Sequence, residues 1–202
     1  MYARVASFEG RDPTLTDELI SRVRQYGPGT VPDARGFLGL FDRDRGKSLG
    51  ITFFDSEQAI RDSEQAFEDM AQEFPPEMRG RRTSVEVYEV TIQEGGEGAN
   101  AARVSSLEGS PERIDESVRD ARESILPRAG QLPGWKGVIG LADRSSGRVK
   151  LITLWESADA LEATEEQANR LRQEAADTGG QRIVGVDRYE VAVSERLSEV
   201  RA

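Results

Sequence analysis

The sequence predicts an α+β protein made of two tandem βαββαβ repeats, and three observations predict it. Residues Pro32 to Gln93 align with Pro133 to Ser194 at a constant offset of 101, without a gap, and 19 of the 62 positions are identical. Composition alone would give about four matches, roughly one position in sixteen. The opening strand repeats as well, at an offset of 99: Ala3-Arg4-Val5-x-Ser7-x-Glu9-Gly10 returns as Ala102-Arg103-Val104-x-Ser106-x-Glu108-Gly109. Between the copies runs Glu94 to Asn100, polar and Gly-rich as a linker should be. The expected organisation is a first repeat over 1–93, a linker over 94–100, a second repeat over 101–194 and a tail over 195–202.

Each element has a local reason. The first strand is predicted over Tyr2 to Glu9 and again over Ala102 to Glu108. Helix one of the second copy has Ser110 as its cap, Pro111 at the first helical position, and Ile114, Val118, Ala121 and Ile125 on one face before Pro127 stops it. Leu15, Leu19, Val23 and Tyr26 form the same stripe in the first copy. Two strands follow, Gly36 to Asp42 and Ser48 to Phe54, joined by Arg43-Asp44-Arg45-Gly46-Lys47, a hairpin signal that returns at Arg144 to Arg148. Helix two starts at Ser56 or Ser157; Pro75-Pro76 end the first and Gly179-Gly180 the second. The last strands are predicted over Arg82 to Ile92 and Arg182 to Val193. Such a repeat forms a four-stranded antiparallel sheet with both helices on one face, the ferredoxin-like arrangement. Its strands are apolar on both faces, as in Phe37, Leu38, Leu40 and Phe41. The face without helices needs cover, and the second copy supplies it.

Composition narrows the chemistry. The chain has 202 residues, 37% apolar and 32% charged, with a formal net charge of −10. That charge opposes non-specific binding to nucleic acid or anionic lipid. No apolar run is long enough to span a bilayer and the first residues lack a signal-peptide pattern, so a cytoplasmic protein is expected. With no cysteine and no histidine, thiol nucleophiles, His-based catalytic pairs and Cys/His metal sites are absent. Chemistry would fall to carboxylates, Tyr, Lys, Arg, an organic cofactor or the substrate itself.

The segments Phe54-Asp55-Ser56-Glu57-Gln58-Ala59 and Trp155-Glu156-Ser157-Ala158-Asp159-Ala160 open helix two in the two copies. With the preceding strand pair they resemble the antibiotic-biosynthesis-monooxygenase (ABM) type domain of the dimeric α/β-barrel superfamily. The resemblance implies that the fused repeats form the family's barrel-like dimer within one chain, a monomer with an internal pseudo-dimer, and that no cofactor is needed. Haem-using members bind through a His that this chain lacks. Two functions remain open: a cofactor-independent monooxygenase of a small aromatic or quinone-type molecule, or a non-catalytic small-molecule-binding or stress-related module.

Comparison of the copies supplies the site candidates. Phe41, Phe67 and Phe74 align with Ala142, Ala168 and Ala175, while Phe54 and Ala34 align with Trp155 and Trp135. Either the Trp rings fill what the Phe rings leave, or copy two holds a pocket lined by Ala142, Trp155 and Ala168. Arg103, Tyr189 and the Trp155 indole N–H are the candidate donors to a ligand. Arg4 and Arg103 are also expected to form buried ion pairs with an acid such as Glu89 or Glu190. Asp42 and Asp143 are explained by turn chemistry.

Overall fold

The structure, a computed structural model, describes residues 1–195 apart from the side chains of residues 27–29. Residues 196–202, nearly all of the expected tail, lie outside the described residues. The first repeat runs β1 (Tyr2–Glu9), α1 (Thr16–Thr30), β2 (Gly36–Asp42), β3 (Lys47–Phe54), α2 (Glu57–Asp62), α3 (Glu64–Gln72), α4 (Pro76–Arg79) and β4 (Arg81–Gly95). The second runs β5 (Ala101–Glu108), α5 (Ile114–Asp120), α6 (Leu126–Ala129), β6 (Trp135–Asp143), β7 (Arg148–Trp155), α7 (Ala158–Ala163), α8 (Glu165–Gly179) and β8 (Arg182–Glu195). The hydrogen-bonded strand order is β1-β3-β2-β8-β5-β7-β6-β4 and it closes, the topology expected for a fused pair of ferredoxin-like repeats.

The chain packs into two units that differ from the sequence repeats by an exchange of strand ends. Unit 1 is Met1–Tyr88 with the end of β8 from Glu190; unit 2 is Glu89–Tyr189. In unit 1, β2 pairs with the end of β8, Phe41 opposite Glu190. In unit 2, β6 pairs with the end of β4, Ala142 opposite Glu89. That pairing explains why β4 continues through Glu94 and Gly95, beyond the predicted end of the strand.

Both exchanged ends bulge at equivalent residues, Thr91 and Ala192, where the register shifts beside Gly140 and Gly39. The bulge explains these shared glycines. A Cβ on Gly39 would lie 3.3 Å from Val193 Cβ, and one on Gly140 would lie 3.1 Å from Ile92 Cβ. A bulge leaves a carbonyl without a ladder partner. Helix one supplies the donor in each unit: Arg24 Nη2 donates to Ala192 O at 2.8 Å, and Arg122 Nη2 to Thr91 O at 2.7 Å.

Helix two begins as expected, with Ser56 and Ser157 hydroxyls accepting from Ala59 N and Ala160 N. It then breaks at Ser63 and Thr164. The Thr164 hydroxyl donates back to Ala160 O, which bends that helix, and the Ser63 hydroxyl ties the break in the first copy to Pro32 O. Helix one of the second copy corrects the sequence reading. Pro127 does not stop it: a π-turn over Ala121–Ile125 carries the helix into α6, with Pro127 inside it. The wider turn accommodates a residue that has no N–H and whose ring crowds the preceding turn. Ser110 also makes no backbone cap; its hydroxyl bonds Glu112.

Candidate functional site

The helix-facing side of the unit 1 sheet is set by strand register. Three cross-strand rows run over β1, β3 and β2: Arg4–Thr52–Phe37, then Ala6–Gly50–Gly39, then Phe8–Ser48–Phe41. The middle row carries only one methyl group between two rows of larger side chains. Above it lie Leu19 and Val23 of α1 and Met70, Ala71 and Phe74 at α3. The result is a cavity of about 130 Å³ between sheet and helices. From Arg4 to Phe8 the floor extends about 13 Å at roughly 3.3 Å per residue.

Polar groups sit at the two ends of this apolar slot. Arg4 is buried at one end, with its guanidinium 3.8 Å from the Phe67 ring centroid. Its Nε and Nη2 donate to Glu64 at 2.9 and 3.2 Å. Arg79 and Arg82 line the other end. Arg82 pairs with Glu68 at 2.8 Å. Arg79 is half-buried and donates from Nε to Phe74 O; it makes no ion pair among the described residues.

Unit 2 has the same register with different side chains. Its rows are Arg103–Thr153–Val138, Ser105–Leu151–Gly140 and Leu107–Val149–Ala142. Leu151 stands where unit 1 has Gly50. It packs against the cluster of Ile92, Leu126 and Val138. Ile125 and Ala129, on the helix that continues through Pro127, pack against Leu171 and Trp135.

The predicted residues of copy two fall into this packing. Trp155 is fully buried with Ala168 and Leu161, its ring edge-on to Trp135 at 5.5 Å between centroids. Its Nε1 donates to Thr153 Oγ1 at 3.0 Å. Unit 1 fills the equivalent layer with Phe54, edge-on to Phe67 at 6.2 Å, with Ala34 beside them. The aromatic bulk has changed strands and helices while the layer stays full. Arg103 is brought to the same cluster, 5.2 Å from the Trp155 ring. Ala142 is buried on β6, in the third row, and Tyr189 is buried on β8. The sequence missed Gly50 opposite Leu151, a difference visible in the alignment but outweighed there by the Phe and Trp exchanges.

The buried arginines find different acids from those expected. Arg103 bonds Glu165 at 2.8 Å and Leu161 O at 2.9 Å. Burial lowers the Arg103 pKa, and Glu165 opposes that loss. Glu165 also receives Arg188 at 2.9 Å and Arg172 at 3.4 Å. Burial pushes the Glu165 pKa up, but Arg103 and Arg188 together hold it below the usual value. Arg172 leaves its buried Nε without a hydrogen bond. Glu190 and Glu89 are instead held by the hairpin arginines: Arg43 bonds Glu190 and Asp17 in unit 1, and Arg144 bonds Glu89 and Asp115 in unit 2.

Solved structures resemble the whole chain. An anthrone oxidase-like protein superposes with a TM-score of 0.69 at 16% identity, over 100% of this chain and 95% of that one. The fold is that of the ABM-like, ferredoxin-fold barrels. A Listeria innocua monooxygenase-like protein superposes on the ABM-like fold at a TM-score of 0.56 and 13% identity, covering 94% of this chain and 93% of that one. A Listeria monocytogenes ferredoxin-fold protein related to antibiotic biosynthesis monooxygenases gives 0.54 and 12%, covering 94% of each chain. At such identities the likeness concerns the fold. No family model matches the sequence. By sequence the chain is 32% identical to the uncharacterised Mycobacterium tuberculosis protein Rv2557 over 95 residues, 47% of this chain and 42% of that protein. Over 75 residues it is 32% identical to the uncharacterised Rv2558 of the same organism, 37% of this chain and 32% of that protein. The matches thus span less than half the length of these relatives. Among the described residues of this ABM-like fold, no helix is long and apolar enough to cross a membrane.

Proposed function

We propose that this ABM-like chain binds a small, flat, apolar molecule of aromatic or quinone type in the cavity of unit 1. The observation that carries the reading is the middle row, Ala6–Gly50–Gly39, which leaves room for a ring between sheet and helices. Apolar walls with few polar groups suit such a ligand. Unit 2, with Leu151 in that row, is the packed counterpart. A native mass spectrum of the purified chain tests the reading. The expected result is an additional small mass that is lost on denaturation and is absent from Gly50→Leu. A bare 22.3 kDa chain that also fails to take up 2-naphthol would sink it.

A second reading, cofactor-independent monooxygenation, is favoured by Arg4 on the cavity wall and by the likeness to an anthrone oxidase-like fold. A cation beside the ligand stabilises the phenolate or enolate that reacts with dioxygen. The dry walls keep that anion from water. For an anthrone-type substrate, a ring methylene becomes a carbonyl: one atom of dioxygen enters the product and the other leaves as water with the two methylene hydrogens. Oxygen uptake equal to anthrone consumed, lost in Gly50→Leu, is the expected signature. Binding without oxygen uptake would leave a non-catalytic binding module.

A further inference from the structure

We infer that the ligand of unit 1 is an apolar acid, a molecule whose anionic group is received by Arg79 at the end of the slot farther from Arg4. This rests on the proposed binding role of the cavity and deepens it by naming the chemical class.

The charges at the cavity are unequal. Arg4 is matched by Glu64 with two hydrogen bonds, and Arg82 by Glu68. Arg79, half-buried on the cavity lining, has only the Phe74 carbonyl as a hydrogen-bond acceptor among the described residues. A carbonyl dipole does not neutralise a guanidinium, and one guanidinium offers five N–H donors. The wall therefore holds a cation whose other donors have no acceptor among the described residues, at the end of an apolar slot. A carboxylate there gains charge-assisted hydrogen bonds, and its apolar body lies along the floor towards Arg4. The slot length, about 13 Å between the ends, suits two or three fused rings or a chain of similar reach.

Arg79 comes from the short helix α4 and precedes Gly80, whose positive φ of 73° turns the chain into β4. A Cβ on Gly80 would lie 2.6 Å from Glu9 O, so this turn is held tightly against β1. The backbone that carries Arg79 is thus held at the slot end, and the bond from Nε to Phe74 O ties the side chain there. The second copy has no equivalent, because Gly180 stands at the aligned position.

The test compares 2-naphthoate with 2-naphthamide, matched in shape and differing in charge, by fluorescence titration of the full chain. The wild type is expected to prefer 2-naphthoate by roughly ten- to hundredfold, the range of a hydrogen-bonded charge. Arg79→Gln should remove the preference and Arg79→Lys should keep most of it, while 2-naphthamide affinity stays unchanged in both. Gly50→Leu should abolish both ligands. Equal wild-type affinity for the two probes would overturn the acid assignment and leave the cavity intact. Failure of both probes to bind the wild type, or undiminished binding in Gly50→Leu, would overturn the cavity reading and the assignment with it.

Discussion

In unit 1 the residue between Ala6 and Gly39 is Gly50; in unit 2 the residue between Ser105 and Gly140 is Leu151. The strands on either side are paired in the same register, and the helices above descend from the same repeat. One position therefore separates a slot from a filled layer, with α6 adding Leu126 to unit 2. The exchange of Phe for Ala, which is larger in volume, opens no comparable space: Trp155 and Trp135 occupy what Ala168 leaves. Volume in one layer is conserved by moving it between elements, whereas in unit 1 the Phe37 ring lies against Gly39 and Gly50 and a cavity still remains beside it.

The strongest challenge to this comparison is Trp155→Ala. Removing a fully buried indole should cost about 3–5 kcal/mol, measured by urea unfolding. Under the proposed site it should leave ligand affinity unchanged, because Trp155 belongs to unit 2. Loss of binding in a folded Trp155→Ala chain would return the site to the second copy.

Leu151→Gly is the next largest. Leu151 is partly buried, so truncation to a strand glycine should cost about 2–3 kcal/mol. It should also open a second slot, detected as xenon or 2-naphthol uptake in the folded chain. No new uptake would show that α6, rather than Leu151, closes unit 2.

The hairpins offer a smaller contrast. Asp143 accepts from Ser145 N at 2.9 Å, from both Ser145 and Ser146 hydroxyls, and pairs with Arg148 at 3.1 Å. Asp42, its counterpart, accepts from Arg45 N at 3.0 Å. The Ser145 hydroxyl, followed by that of Ser146, holds Asp143 well below the usual carboxylate range. A lowered folded pKa stabilises the fold above the unfolded value, near 3.9, and the contribution fades as pH falls through the folded value. Asp143→Asn should therefore cost about 1 kcal/mol at pH 7, more than Asp42→Asn. The gap from wild type should shrink below about pH 4. A gap unchanged between pH 7 and pH 3 would show that the ionised carboxylate is not what holds the turn.

The smallest stability effect belongs to the most informative substitution. A Cβ on Gly50 would meet Phe37 at 3.6 Å, an ordinary contact at a position with no positive φ. Gly50→Leu should raise stability by about 0.5–1 kcal/mol through strand preference and filled space. A rise in thermal midpoint together with loss of ligand would identify Gly50 as a residue kept for binding rather than for stability. A large destabilisation would mean that the slot is narrower than the fold suggests.

Much of the fold was legible because its causes are local or periodic. The offset of 101 placed the strands, the hairpin glycines and the Ser caps of helix two. Gly46 and Gly147, with φ of 63° and 75°, meet Arg11 O and Gly109 O so closely that no side chain fits. The ion pairs were legible only in part: burial of Arg4 and Arg103 follows from strand alternation, but their partners, Glu64 and Glu165, come from helix two. The rows across β1, β3 and β2 could have been written from sequence, since the hairpin fixes which residues oppose one another.

The sequence by itself determined the duplication, the strand and helix order and the pairing within each hairpin, because these depend on short-range periodicity and turn chemistry. Only the tertiary structure decided which copy is hollow. That depended on the helix through Pro127 and its π-turn, which brings Leu126 to the cluster under Leu151, and on which side chains met across the layer. Each is a sum over non-local neighbours, and a cavity is what remains when that sum falls short.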